Sequence, residues 1–197
     1  CTCRRQRQMC IRDRPYRGWK EDGHGKVDLE KAIVESSDVY FYSTAYDLTI
    51  KRLEPFLKKF GFGAKTNIDA EESNGLVPNE KWKLGYIGEF WFKGDSINLG
   101  IGQGYMLSTP IQISQAIAVI ANRGEIIKPR LVEEIDESPT ELESLGKINL
   151  KDETNWEKIE KSMIEVINAP NGTANNIKDT RFVIAGKTGT AQIKSYE

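Results

Sequence analysis

The sequence predicts a mixed α/β domain, on three observations. Apolar residues recur at helical spacing behind Thr109-Pro110 and again behind Thr154, each time with a polar start and a marked stop. Residues 181–185 (Arg-Phe-Val-Ile-Ala) instead read as a strand, running directly into Gly186-Lys187-Thr188-Gly189-Thr190. No period of about 20 to 50 residues recurs, so the chain is no solenoid.

Taken in order, Asp28 is suited to cap a helix carrying Leu29, Ala32 and Ile33, which the polar triplet Ser36-Ser37-Asp38 interrupts. Val39, Tyr40, Phe41, Ala45 and Leu48 predict a buried helix. Leu53, Phe56, Leu57 and Phe60 predict a shorter one, with Pro55 in its first turn and Gly61 and Gly63 closing it. Residues 64–92 alternate turn signals with aromatics and predict irregular surface structure. Ile97-Asn98-Leu99 reads as a strand end passing into a tight turn at Gly100, Gly102 and Gly104.

Thr109 and Gln112 form a capping box around Pro110, with Gly124 just past the helix end. Ile111, Ile113, Ile117, Val119 and Ile120 surround that helix and predict burial on several sides. Residues 133–152 are acidic and loosely patterned, a surface excursion. Thr154 and Glu157 suggest a second capping box, leading Trp156, Ile159, Met163, Val166 and Ile167 down one face until Ala169-Pro170.

With 197 residues, 39% of them hydrophobic, the chain can bury a core. Its 28 basic against 29 acidic residues exclude a basic nucleic-acid surface and an acidic disordered tail. The longest apolar run, residues 116–121, is far below the roughly 20 residues that cross a bilayer. Residues 1–14 stand apart: all three cysteines (Cys1, Cys3, Cys10) and five arginines but no lysine give them a net charge of +4, against −5 for the rest. They lack apolar periodicity and read as a foreign or artefactual segment, leaving 15–197 as the domain. Their cysteines lack the spacing and the His partners of a zinc site.

Lys187-Thr188-Gly189-Thr190 is the most informative tract. Such an edge fits either an ordinary exposed strand or one that holds a substrate carboxylate on Lys and Thr while its backbone pairs with the substrate. A phosphate loop is excluded, because Arg181 stands where the pattern needs its first Gly. Ser36-Ser37-Asp38 is Ser, any residue, then a short polar side chain at a helix junction, a place where hydroxyls ordinarily act as caps. Joined to KTGT it makes the pair found in penicillin-binding proteins and β-lactamases.

Further ordered motifs sharpen that pair: Gly23-His24-Gly25, Phe60-Gly61-Phe62-Gly63, Gly94-Asp95-Ser96-Ile97-Asn98, Ile101-Gly102-Gln103-Gly104-Tyr105, Thr109-Pro110-Ile111-Gln112 and Gly172-Thr173-Ala174. From about residue 16 to 192 the chain resembles the class B penicillin-binding proteins, specifically the elongation-type peptidoglycan D,D-transpeptidases. The resemblance implies a transpeptidase fold, incomplete at both ends, in which a helical lobe packs on an antiparallel sheet whose KTGT strand lines the cleft. It also implies cross-linking of stem peptides through a serine acyl-enzyme. Ser36 would then belong to a proton relay. Asp38 would stand for the Asn that orients substrate and base, and Lys187 would supply positive potential. Thr188 and Thr190 would hold the substrate carboxylate, the Thr190 N–H would form half of an oxyanion hole, and Gly189 would admit the substrate. Gln103 and Tyr105 fit either a cleft lining or a packing turn.

Two departures follow from the same resemblance. The family's Ser-x-x-Lys precedes its SxN motif, whereas the one match here, Ser144-Leu145-Gly146-Lys147, lies between the other two motifs and precedes no apolar helix. The isolated chain is therefore expected to form no acyl-enzyme. Some relatives bind zinc near this histidine, but Gly18 and Ser37 stand where ligands would be, so no metal or other cofactor is carried over. Expected partners are stem peptides, β-lactams, glycan polymerases and shape-determining membrane proteins. The parent should sit on the cytoplasmic membrane with this domain facing the exterior, on an anchor outside this chain. The rivals are a D,D-carboxypeptidase or β-lactamase of the same fold, and a non-catalytic β-lactam sensor or scaffold.

Overall fold

The computed structural model describes residues 8–11 and 14–191, with side chains from Tyr16 to Ala191. Cys1 and Cys3 lie outside the described residues. Strand β1 (Gln8–Ile11) pairs antiparallel with β2 (Arg14–Arg17), Gln8 opposite Arg17. The chain divides into two units, the first made of Cys1–Thr49, Phe92–Gly104 and Glu157–Glu197.

In the first unit Asp28 caps α1 (Leu29–Val34), accepting from the Lys31 N–H at 2.9 Å. Ser36 then takes a left-handed backbone, φ 51°, and the chain turns into α2 (Asp38–Lys59). Helical geometry breaks inside α2 at Thr49 (φ 59°, ψ 166°), where the first unit's portion ends. The two-helix expectation therefore holds, but Pro55 lies in the helix interior rather than in a first turn, where its missing N–H costs a backbone bond. Residues 97–99 are helical, not a strand end. They belong to α4 (Lys93–Leu99), where the Asp95 carboxylate accepts from the Phe92 N–H at 2.7 Å. A Cβ added at Gly100 would meet the Ala45 Cβ at 2.4 Å, so the residue after α4 passes against α2 only as glycine.

The core of this unit is Ile33, Val166, Ile167 and Ala174, with Leu29, Phe41, Ile159 and Ile184 packed against it. Val166 and Ile167 come from α6 (Thr154–Asn168). The second predicted capping box is not made as expected: Thr154 is already helical, and its hydroxyl donates to Asp152 Oδ1 at 2.6 Å.

The second unit comprises Ile50–Trp91 and Tyr105–Trp156. Asn79 caps a short helix, α3 (Glu80–Trp82), which continues as a π turn over Lys83–Ile87, so residues 64–92 are less irregular than predicted. The Thr109–Gln112 box forms as expected at the start of α5 (Pro110–Ala121), the two bonds measuring 3.3 and 3.0 Å. Burial of α5 on several sides does not hold: Ile113 and Ile117 are exposed, and the buried positions are Gln112, Gln115, Ala116 and Val119. Val119, Ile148 and Trp156 make this unit's core, with Phe60, Ile120, Ile126 and Leu150 around it. Two two-stranded ladders complete its described residues. β3 (Glu125–Ile127) pairs with β6 (Ser144–Lys147), and β4 (Glu134–Ile135) with β5 (Ser138–Pro139), all antiparallel.

Gln112 is wholly buried because it is spent three ways. Its Nε2 donates to the Ala64 and Asn74 carbonyls at 2.6 and 2.9 Å, and its Oε1 accepts from Thr109. Gln112→Ala leaves those groups without partners, so denaturant unfolding of the parent protein should show a loss of about 3 kcal/mol. A loss under about 1 kcal/mol would mean that water replaces the amide.

The mixture of helix and strand holds, but the expected antiparallel sheet does not form among the described residues, whose ladders are all two-stranded. Residues 183–191 run without a strand partner. Strand structure needs a neighbouring backbone, and here other groups take its place: the Gly186 N–H donates to Met163 O at 3.0 Å and Gln103 Nε2 to Thr190 O at 2.8 Å.

Candidate active site

Ser36 owes its position to the sharp turn between α1 and α2. Its N–H donates to Ile33 O at 3.3 Å and the Ser37 N–H to Ala32 O at 2.9 Å, which closes α1. From outside the turn, Trp19 Nε1 donates to Ser36 O at 2.9 Å and Glu35 O at 3.3 Å. A left-handed serine costs about 1 to 2 kcal/mol, which these bonds offset. The turn leaves the hydroxyl facing a cavity of about 780 Å³ lined by Ser36, Asp38, Asn98, Gln103, Lys187 and Thr190 among others.

Lys187 enters the same cavity from a segment 151 positions away and donates to Ser36 Oγ at 2.9 Å. Its Nζ also donates to Thr188 O at 3.1 Å and Thr188 Oγ1 at 3.2 Å, so all three ammonium donors have partners. The side chain as a whole is exposed, yet burial depresses the Lys187 pKa, with the charge of Asp38 working against that effect. The two agree if hydration is lost at Nζ, held between Ser36 and Thr188, while the stem stays wet. Burial also raises the Asp38 carboxyl, opposed by the charges of His24 and Lys187 and a bond from the Trp19 backbone. Both groups are thus drawn toward neutrality, and the site can support proton movement across Ser36.

Of the residues singled out in the sequence, the structure brings Ser36, Asp38, Lys187, Thr188, Gly189 and Thr190 to this one cavity, with Gln103 beside them. Tyr105 is not there. It packs in the second unit, its ring tilted against Trp82 with centroids 5.4 Å apart and Lys83 Nζ over it at 5.6 Å. Ser144 and Lys147 lie on β6, exposed, with Ser144 Oγ donating to Glu125. That strand is no helix N-terminus, and the side-chain partner of the hydroxyl is the Glu125 carboxylate rather than Lys147.

Sequence reasoning missed the support of the turn. Glu35 is buried and accepts from Lys20 at 3.2 Å and Asn171 at 2.8 Å, which together with the charge of Lys31 outweigh its desolvation and leave its pKa lowered. No local signal in the sequence marks Glu35 and Asn171 as neighbours. A zinc does not fit beside His24. The Nε2 atom lies 3.3 Å from Glu35 O, Gly18 offers no ligand atom, and Ser37 presents a neutral hydroxyl where a thiolate would be needed. His24 Nδ1 and Ser37 Oγ are buried with no hydrogen-bond partner among the described residues, but one imidazole nitrogen and one hydroxyl are too few for a metal site.

A peptidoglycan D,D-transpeptidase MrdA of Haemophilus influenzae is 41% identical over 186 residues, 91% of this chain and 29% of that protein. A crystal structure of Pseudomonas aeruginosa PBP2 in complex with WCK 5153 superposes with a TM-score of 0.88 at 40% identity, covering 96% of this chain and 44% of that one. PBP2 of Helicobacter pylori, in complex with MreC, gives 0.85 at 33% identity, covering 95% and 34%. This chain thus spans about three tenths of the length of the curated relatives it matches. The description of the penicillin-binding protein transpeptidase domain matches residues 6–197, and the chain belongs to that family.

Proposed function

We propose that the full-length parent is a peptidoglycan D,D-transpeptidase to which this chain contributes the relay hydroxyl and the carboxylate-binding segment. The observation that carries this reading is the 2.9 Å bond between Lys187 Nζ and Ser36 Oγ, inside a cavity shared with Asp38, Thr188 and Thr190. A nucleophilic serine of the parent attacks the carbonyl of a D-alanyl-D-alanine bond. The C–N bond breaks, D-alanine leaves with the proton that the relay delivers, and an acyl ester remains. An amine of a neighbouring stem then attacks that ester, a peptide bond forms, and the serine recovers its proton.

In this scheme Ser36 passes the proton, and Lys187 keeps the Ser36 hydroxyl oriented and supplies positive potential. Asp38 orients the base and tunes Lys187. Thr188 and Thr190 receive the terminal carboxylate, the Thr190 N–H faces the developing oxyanion, and Gly189 lets the substrate approach. The parent works outside the cytoplasmic membrane, where its substrate is, with glycan polymerases and shape-determining membrane proteins as partners; the H. pylori relative was captured with MreC. No described helix is long and apolar enough to cross a membrane. The family match begins at residue 6 and β1 pairs with β2, which counts against the expectation that residues 1–14 are foreign to the domain.

The test is covalent labelling by a fluorescent penicillin. The full-length parent should be labelled, and should transfer a stem peptide to an added amine faster than to water. The 197-residue chain alone, whose one Ser-x-x-Lys lies on β6, should remain unlabelled. Transfer to water alone would assign a carboxypeptidase or β-lactamase instead, and an unlabelled parent would assign a scaffold.

A further inference from the structure

The tract Asn171-Gly172-Thr173 has no part in the scheme above, yet it is among the most constrained in the first unit. Asn171 Nδ2 donates to Glu35 Oε1 at 2.8 Å, the Thr173 N–H to Val34 O at 3.3 Å, and the Ala174 N–H to Val166 O at 3.0 Å. A Cβ added at Gly172 would lie 2.3 Å from Val166 O and 2.6 Å from Glu165 O. The loop is therefore pinned to the end of α1 on one side and to α6 on the other. Held there, Thr173 Oγ1 is 2.9 Å from Thr188 Oγ1.

Thr188 Oγ1 also accepts from Lys187 Nζ at 3.2 Å. A hydroxyl oxygen has two acceptor positions and a single proton. Either hydroxyl of the Thr173–Thr188 pair can donate, and an anionic acceptor in the cavity selects the arrangement in which Thr173 does: Lys187 and Thr173 then fill both acceptor positions of Thr188, whose own proton turns to the anion as a charge-assisted bond.

We infer that Thr173 is a positioning residue for carboxylate recognition, acting through Thr188 rather than touching the substrate. This deepens the transpeptidase reading and rests on it, because it needs Thr188 to receive a substrate carboxylate. It makes Asn171, Gly172 and Thr173 one brace: the first two residues place the loop, and the third fixes the direction of a proton. A scaffold role alone would affect every ligand equally, whereas this role matters only to ligands that carry the carboxylate.

The experiment uses the full-length parent as wild type, Thr173→Val and Thr173→Ser, acylated by benzylpenicillin and by its methyl ester. Thr173→Val should lower acylation efficiency toward benzylpenicillin roughly tenfold, mainly through weaker binding, the cost of one charge-assisted hydrogen bond. Toward the ester, wild type and Thr173→Val should be equal, and Thr173→Ser should recover most of the loss with benzylpenicillin. Equal slowing with both probes, or no slowing with either, overturns the inference while the wild-type labelling upholds the transpeptidase reading. A wild-type parent that reacts with neither probe overturns both. If Thr173→Val does not accumulate, Asn171→Ala frees the loop from its other end and should show the same carboxylate-dependent loss; its absence also overturns the inference.

Discussion

Lys187→Ala in the full-length parent should cut penicillin acylation by about a thousandfold while leaving the protein folded. The size of the effect follows from how much converges on one nitrogen. Nζ orients Ser36 Oγ, caps the Thr188 carbonyl and polarises the Thr188 hydroxyl. Its removal takes away a charge and three directed bonds together. Folding should be spared because Lys187 is an exposed residue outside both cores. The pH dependence has a definite sign. Positive potential requires protonated Lys187, so activity falls as pH rises through its pKa, which burial has moved below the ordinary lysine range. Asp38 opposes that shift. Asp38→Asn should therefore move the alkaline limb of the acylation profile to still lower pH. A limb that stays put, or a Lys187→Ala parent that acylates at the wild-type rate, would refute this role.

Gly172→Ala should lower the stability of the parent by about 3 kcal/mol, because the new methyl meets carbonyl oxygens rather than a yielding side chain. Both oxygens are helical, Glu165 and Val166 of α6, so relief requires moving the helix that supplies Val166 and Ile167 to the core. Gly189→Ala is the matched control. Nothing lies within 4 Å of its added Cβ, so thermal unfolding should be unchanged while acylation slows, the methyl standing where substrate must approach. Equal melting temperatures for the two variants would show that the 172 loop gives way at no cost.

Helix starts were legible at Asp28 and Thr109, where a polar cap meets an apolar run, because capping is decided within four residues. The kinship of Ser36 with Lys187 was legible too, but only as a pair of motifs shared with a known family; neither residue's neighbours announce a contact across 151 positions. What escaped had non-local causes. The strand expected at residues 181–185 depends on a neighbouring backbone, and the described ladders supply none there. Five isoleucines and valines around α5 suggested burial all round, yet what a helix covers is set by its surroundings, and Gln112 and Gln115 are buried where Ile113 and Ile117 are not. Glu35 and Asn171 carry no local mark because their bond joins a helix end to a loop 136 positions later.

The left-handed backbone at Ser36 ties two demands to a single side chain. Threonine would keep the alcohol but bring a branched β-carbon into a conformation that such residues resist, and glycine would accept the twist but forfeit the alcohol. Threonine and glycine each fail one of the two requirements, so under the proposed function the turn at Ser36 is closed to both.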